Sequence, residues 1–209
     1  MYSKDSTAEM IVKLQHITKK FAHQQIVKNF SYTFESQGTY AIYGHNGVGK
    51  STLLQLIAGV ISPNEGQIYY ELNNKVIEVD EIYQYISMAT PYLELIEDYT
   101  LTELLDFQFS FKPILKGEHV DSIYALLPYD REKPIKYYSS GMKQRLKLIL
   151  ALFTQSSILL LDEPTANFDE AGIDWYKNLM KTYRQNRLTI IASAQKYDHD
   201  FCDHIISLV

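Results

Sequence analysis

The stretch Gly44-His45-Asn46-Gly47-Val48-Gly49-Lys50-Ser51-Thr52 constrains this chain more than any other. "TYAIYG" (39–44) leads into it and reads as a short apolar strand; "STLLQLIAG" (51–59) leads out and reads as a helix ended by Gly59. Strand, G-x-x-x-x-G-K-[ST] loop and helix are the context a phosphate-binding loop requires. Glycines let the backbone curl through conformations closed to other residues and approach a ligand closely. The curl aims successive N–H groups inward as an anion nest, and the helix adds the positive end of its dipole. In this reading Gly44, His45, Asn46, Gly47, Val48 and Gly49 form the cradle. Lys50 brings a full charge for the β- and γ-phosphates, Ser51 offers a hydroxyl to Mg²⁺, and Thr52 helps hold the phosphates.

Two further pieces fit the same chemistry. "ILLLDEP" (158–164) puts two carboxylates at the end of a strand. Asp162 suits the acid that holds Mg²⁺ through water opposite Ser51, and Glu163 suits a group that orients or activates an attacking water. "YYSSGMKQR" (137–145) carries Ser139 as a helix cap, with Ser140 and Gly141 leaving the helix end open to a phosphate.

The rest of the chain patterns as α/β. "FSYTF" (30–34) alternates as a half-buried strand, and "GQIYYEL", "NNK", "VIEV" read as a hairpin. From about residue 100 to 153 the pattern is helical. Thr100 and Glu103 match a capping box, and Leu146, Ile149, Leu150 and Phe153 form an apolar stripe. "SILLLDE" (157–163) is apolar throughout, as in a strand buried on both faces of a parallel sheet. A helix follows with Trp175, Leu179 and Tyr183 on one face, then "LTIIAS" (188–193) and "HIISL" (204–208) as closing strands. Strands alternating with helices give an α/β core with a helical insertion.

Size and charge exclude several classes. The 209 residues suit one well-buried domain. A net charge of −5 offers no general attraction for nucleic acid or an anionic membrane, so no direct nucleic-acid partner is expected. The single cysteine, Cys202, rules out an internal disulfide and points to a reducing compartment. The first residues are polar, unlike a secretory signal. No apolar run approaches the roughly 18 residues that cross a bilayer, so work at a membrane goes through a partner.

Taken in order, the three pieces resemble the nucleotide-binding subunit of ABC (ATP-binding cassette) ATPases, over about residues 10 to 208. "GHNGVGKST" resembles the Walker A loop, "ILLLDEP" the Walker B strand with its catalytic glutamate at Glu163, and "YSSGMKQR" the signature, with Tyr138, Ser140 and Met142 as departures. "TANFD" (165–169) resembles the D-loop, with Asp169 at its acid, and Phe21 stands where the family has an aromatic that stacks on adenine. The resemblance implies a P-loop NTPase core around a mainly parallel sheet, an N-terminal antiparallel β-subdomain, and an inserted α-helical subdomain at about 85–155. It implies one cassette over 1–209. It also implies ATP and Mg²⁺ as ligands, and a head-to-tail homodimer or pairing with a second cassette. In that dimer Ser139, Ser140, Gly141 and Met142 serve the neighbour's ATP. It implies a separate integral-membrane permease, with this chain cytoplasmic and peripheral on the inner face of the membrane. Tyr92, Leu93, Leu95 and Ile96 are candidate permease contacts.

Two positions depart from the family pattern. Its usual glutamine falls on Thr90 or Ala89, and Thr90 keeps a hydroxyl for Mg²⁺ or water. Its switch histidine falls on Ser193, Ala194 or Gln195 according to register, with Gln195 taken as the catalytic candidate; His199 lies too far along to be equivalent. These departures imply slow turnover. The main alternative is a soluble ABC ATPase that remodels a protein or nucleic-acid complex. A small P-loop kinase ranks behind both, because it has no use for Glu163 directly after Asp162 or for the "SSGMKQR" cap.

Overall fold

The computed structural model describes residues 9–22, 24–36, 38–184 and 186–208. Two sheets and five helices pack into two adjoining apolar clusters. The first sheet is antiparallel, with strands in the order β2-β1-β4-β5: β1 is Met10–Phe21, β2 Gln24–Glu35, β4 Glu65–Leu72 and β5 Lys75–Ile77. The second is parallel throughout, in the order β6-β7-β8-β3-β9: β3 is Thr39–Tyr43, β6 Ile86–Ala89, β7 Ile158–Asp162, β8 Leu188–Ser193 and β9 His204–Ser207.

The turn between β4 and β5 shows how local sequence sets local shape. Leu72 pairs with Lys75, so the loop is the two residues Asn73 and Asn74, with φ of 51° and 63°. That left-handed pair matches the twist of the flanking strands, and asparagine tolerates it. β2 extends well beyond the alternating "FSYTF", and β1 alternates only at its start, where Met10, Val12 and Leu14 are buried, before the pattern breaks. The β1–β2 register shifts between Leu14 and Ile17 and again before Lys20, with positive φ at His16 and Asn29. Bulges of this kind break the period of two that a sequence pattern depends on.

The parallel sheet is buried on both faces. Along β7, Ile158 and Leu160 join the cluster that holds helix α1 (Lys50–Ile57), whereas Leu159 and Leu161 join the cluster of the other helices. The uninterrupted apolar run of this strand follows from that double burial.

Four helices make the second cluster. α2 (Leu101–Phe111) is held by a complete capping box. Glu103 N donates to Thr100 Oγ1 at 3.2 Å, and Thr100 N donates to Glu103 Oε2 at 2.8 Å. α3 is Val120–Leu126, α4 Ser140–Phe153 and α5 Glu170–Tyr183. The stripe Leu146, Ile149, Leu150, Phe153 is buried, and so are Leu148, Ala151 and Leu152, so the end of α4 is enclosed all round. The inward ridge of α5 is Tyr176, Leu179 and Met180, with Trp175 and Tyr183 half-buried at its flanks. The expected face of Trp175, Leu179 and Tyr183 thus packs inward, widened by Tyr176 and Met180.

The connections after β3, β6, β7 and β8 all leave the carboxyl ends of parallel strands, on one rim of the sheet. Open α/β sheets bind ligands along that rim.

Candidate functional site

The loop from Gly44 to Gly49 joins β3 to α1. Gly49 caps the helix in a left-handed conformation, with φ of 108°, and a Cβ there would lie 2.8 Å from Ile26 Cγ2. Both conditions demand glycine. No side chain caps α1, whereas α2, α4 and α5 are capped by Thr100, Ser139 and Asp169. The first-turn N–H groups of α1 are thus left for a ligand. His45, Asn46 and Gly47 are exposed, Val48 is half-buried, and Ser51 and Thr52 sit half-buried on the first turn.

Lys50 is only 5% exposed. Its ammonium donates to Gly44 O at 3.0 Å and His45 O at 3.3 Å, and lies 3.3 Å from Glu163 Oε1. A buried ammonium needs such hydrogen-bond and charge partners.

Asp162 ends β7 and is buried, with Oδ1 lacking any hydrogen-bond partner. Burial pushes its carboxyl above the ordinary range, with the Glu163 charge adding to the rise; the hydrogen bond from Ser51 and the charge of Lys50 pull the other way. An orphaned buried carboxylate oxygen beside a hydroxyl is a fit for Mg²⁺, which takes one or two protein ligands and completes its octahedron with phosphate and water. Among the described residues no cluster of three or more His, Cys, Asp or Glu could hold a metal ion unaided. Ala89 pairs with Leu161, so Thr90 follows beside Asp162 at the sheet rim. Its Oγ1 accepts from Leu93 N at 3.1 Å, closing a turn.

Glu163 takes φ of 43°, which aims its carboxylate back along the rim. Oε1 accepts from Ala194 N at 3.1 Å, and Oε2 accepts from Ser193 Oγ at 2.9 Å. In this turn Ser193 is the side chain that meets Glu163. The Gln195 side chain is exposed, and this residue contributes its backbone N–H to Ser193 Oγ at 2.9 Å. Behind Ser193 stands Asp198, fully buried, with Oδ2 2.5 Å from Ser193 Oγ and Oδ1 accepting from Thr165 Oγ1 at 2.6 Å. Sequence reasoning missed Asp198, because an acid in "KYDHD" carries no sign of burial. His199 is buried with both ring nitrogens unpartnered, its imidazole pushed down by burial, and its ring lies edge-on to Tyr43.

The remaining candidates lie around this rim or on the outer surface. Ser139 Oγ accepts from Met142 N at 3.2 Å, which caps α4 and leaves Ser140 exposed and Gly141 half-buried. Met142 packs into the helical cluster, and the Tyr138 side chain is buried with its hydroxyl donating to Asp130 O at 3.2 Å. Gln144 Nε2 donates to Pro164 O at 3.0 Å, tying α4 to the loop after β7. Asp169 caps α5 by accepting from Gly172 N at 2.9 Å, and lies 3.9 Å from Arg145 Nη2. Phe21 closes β1 with 47% of its surface exposed and Lys19 Nζ 5.1 Å from its ring centre.

Comparison with known proteins agrees with this geometry. A family model described as ABC transporter matches residues 27–166. An uncharacterized ABC transporter ATP-binding protein, YybJ of Bacillus subtilis (strain 168), is 31% identical over 192 residues, covering 88% of this chain and 85% of that protein. The lantibiotic transport ATP-binding protein SrtF of Streptococcus pyogenes is 26% identical over 194 residues, covering 88% and 80%. Among solved structures, a putative ABC transporter ATP-binding protein from Pyrococcus furiosus superposes with a TM-score of 0.79 at 20% identity, over 95% of this chain and 97% of that one. The bacterial ABC transporter cassette MJ0796, solved as a dimer, gives 0.78 at 21% identity over 94% of each chain; it is also known in a post-hydrolysis state bound to ADP and Pi. With a family model over most of its length and transporter ATP-binding proteins among its relatives, this chain belongs to the ABC transporter family, as an ATP-binding cassette.

Proposed function

We propose that this chain is the ATP-binding and ATP-hydrolysing subunit of an ABC transporter, closing as a dimer around ATP to drive a separate membrane permease. The observation that carries this is the grouping of Lys50, Glu163 and the orphaned Asp162 at the mouth of an uncapped α1. The chain is one cassette, with the helices from about 85 to 155 as its inserted subdomain.

The residues Gly44 to Gly49 and Thr52 wrap the phosphates with backbone and hydroxyl donors, and Phe21 offers an exposed ring to the adenine. Lys50 exchanges its contacts with Gly44 O, His45 O and Glu163 for the β- and γ-phosphates. That exchange frees Glu163 to hold a water in line with the γ-phosphorus and take its proton as the new P–O bond forms and the bond to the β–γ bridging oxygen breaks. Ser51, Asp162 and Thr90 would hold Mg²⁺, which supplies charge neutralisation on the phosphate oxygens when bound. The turn after β8 steadies Glu163 from behind, with Gln195 contributing through its backbone. Ser139, Ser140, Gly141 and Met142 present the open end of α4, and Asp169 the end of α5, to the ATP of the opposing cassette.

Among the described residues no helix is long and apolar enough to cross a membrane. In this reading a separate permease holds the chain at the inner face of the membrane. Tyr92, Leu93 and Ile96 are exposed, Tyr92 at 77%, and support that docking; Leu95 packs into the helical cluster.

The test is to capture tagged Glu163→Gln protein from detergent-solubilised native membranes in the presence of ATP. Stoichiometric recovery of a multi-span protein supports the transporter subunit. Recovery with soluble partners alone overturns the permease, and the soluble remodelling ATPase takes its place.

A further inference from the structure

The turn after β8 holds more than a replacement for a missing histidine. Ser193 Oγ is within hydrogen-bond distance of three groups: Gln195 N at 2.9 Å, Glu163 Oε2 at 2.9 Å and Asp198 Oδ2 at 2.5 Å. A serine hydroxyl has one proton and two acceptor positions. Gln195 N–H fills one acceptor position. The single proton can go to only one of the two carboxylates. If both were ionised, the other would face Ser193 oxygen to oxygen across a hydrogen-bond distance, buried, with nothing between.

The count closes in one way. At Glu163, Oε1 faces Lys50 Nζ at 3.3 Å and accepts from Ala194 N at 3.1 Å, so this carboxylate has a cation and a donor of its own. Asp198 has no such support. It is fully buried, Thr165 donates to its Oδ1, and the Tyr176 hydroxyl donates at 2.9 Å to its backbone oxygen rather than to its carboxyl. From α5, Lys177 is the cation that reaches it, and that ammonium is already paired with Asp200 Oδ2 at 2.5 Å. From the loop after β7, the charge of Glu163 opposes its ionisation. Placing the proton on Asp198 Oδ2 satisfies every atom: Asp198 donates to Ser193, and Ser193 donates to Glu163.

We propose that Asp198 and Ser193 are positioning residues for Glu163, a neutral Asp198 donating to Ser193 Oγ so that the Ser193 hydroxyl is committed to Glu163 Oε2. Nothing in this relay touches substrate; it acts through the orientation of the Glu163 carboxylate. It rests on the ATPase reading above. The ordinary requirement that buried polar groups be paired drives it. Burial also pushes the Asp198 carboxyl up, to about 6. Above that range the ionised Asp198 Oδ2 accepts the hydrogen bond from Ser193 Oγ, which then no longer donates to Glu163 Oε2. The relay is thereby sensitive to protons at Asp198, with Glu163, Lys177, Thr165, Tyr176 and the neighbouring His199 as its surroundings.

Single-turnover hydrolysis of ATP by excess protein at pH 5, where Asp198 keeps its proton, tests it, with ATP affinity measured alongside and melting curves confirming that each variant is folded. Ser193→Ala is expected to hydrolyse about tenfold more slowly, the scale of one hydrogen bond to a charged group, with unchanged affinity. Asp198→Leu is expected to lose a similar factor. Asp198→Asn keeps a donor toward Ser193 and an acceptor toward Thr165, and is expected to rescue most of the loss. Because asparagine cannot lose that proton, the ratio of its rate to the native rate should climb as pH rises through about 6, a change that a merely structural role does not produce. Hydrolysis by Ser193→Ala at the native rate overturns the proposal, as does an Asp198→Asn protein as slow as Asp198→Leu. Infrared spectra give a readout free of turnover: at pH 5 the native protein should show a carboxylic-acid carbonyl band that Asp198→Asn lacks, and its absence overturns the neutral Asp198. Native protein that fails to bind ATP at all sinks the parent reading, and this role with it, which separates the two failures.

Discussion

Lys50 Nζ lies 3.3 Å from Glu163 Oε1, across 113 residues of sequence, so the cation of the phosphate loop meets the carboxylate that follows β7. The contact gives the nearly buried Lys50 ammonium an opposite charge as partner. In the proposed function, phosphate oxygens draw Lys50 away from Glu163 and so release the glutamate.

Lys50→Ala is therefore expected to cut ATP affinity by at least about a hundredfold, the loss of a charge-assisted contact to phosphate. Titration with a fluorescent ATP analogue reads this directly. Unchanged affinity would remove the phosphate loop from the proposed function.

Glu163→Gln keeps the size of the side chain and loses its basicity. Binding should persist while hydrolysis slows by roughly 10²–10⁴-fold, the usual contribution of a positioned base. With ATP unbroken, two cassettes should stay closed, so gel filtration with light scattering is expected to show an ATP-dependent dimer. Hydrolysis at the native rate would strip Glu163 of its role.

The buried Asp198 makes stability depend on pH in a direction opposite to that of most carboxylates. Its folded value of about 6 lies above the ordinary 3.8, so between these values the folded protein binds the proton and the unfolded chain does not. Stability from this group is present below about pH 4 and is lost as pH rises to about 6, by up to about 3 kcal/mol. Asp198→Asn removes the effect. Urea melts at pH 4.5 and pH 8 should show the variant gaining on the native protein at the higher pH; a constant difference between them would mean that Asp198 titrates normally.

Arg187 is a structural cation that has no carboxylate partner among the described residues. It is 3% exposed, and its guanidinium donates to Leu152 O at 3.0 Å, Tyr183 O at 2.6 Å and Ser156 Oγ at 3.3 Å. Leu152 and Tyr183 lie in the last turns of α4 and α5, where carbonyls lack intrahelical donors and the helix dipole is negative. Burial pushes its pKa down to about 10, which still leaves it charged near neutrality. Arg187→Met should cost about 3 kcal/mol, because it strands those carbonyls. Chemical denaturation measures it, and a loss under half of that would mean water can replace the guanidinium.

The Thr100–Glu103 capping box gives a smaller and more local effect. Thr100→Ala should cost about 1 kcal/mol, with faster amide exchange confined to α2. Loss of protection spread over the parallel sheet would show instead that this helix is needed by the whole fold.

How much of this was legible beforehand depended on distance along the chain. The phosphate loop, the acids after β7, the caps of α2, α4 and α5, and the doubly buried β7 are short-range patterns, and the structure builds each where the pattern lies. β1 was hidden because its bulges break the alternation that marks a strand. The face of α5 was legible in Trp175, Leu179 and Tyr183, all of which pack into the helical cluster, whereas the buried Tyr176 and Met180 beside them were not singled out.

The sequence alone specified the phosphate-binding chemistry, because a glycine loop, a lysine and a helix start act through residues adjacent in the chain. It left three names for the turn after β8 and marked nothing at Asp198 or Arg187. Those positions acquire their character from burial, and burial is set by which strands and helices come together. Only the folded chain brings the ends of β7 and β8 side by side, puts Ser193 between two carboxylates and denies one of them water. A carboxylate's charge state is decided by its surroundings, and those are assembled from segments that the sequence keeps far apart.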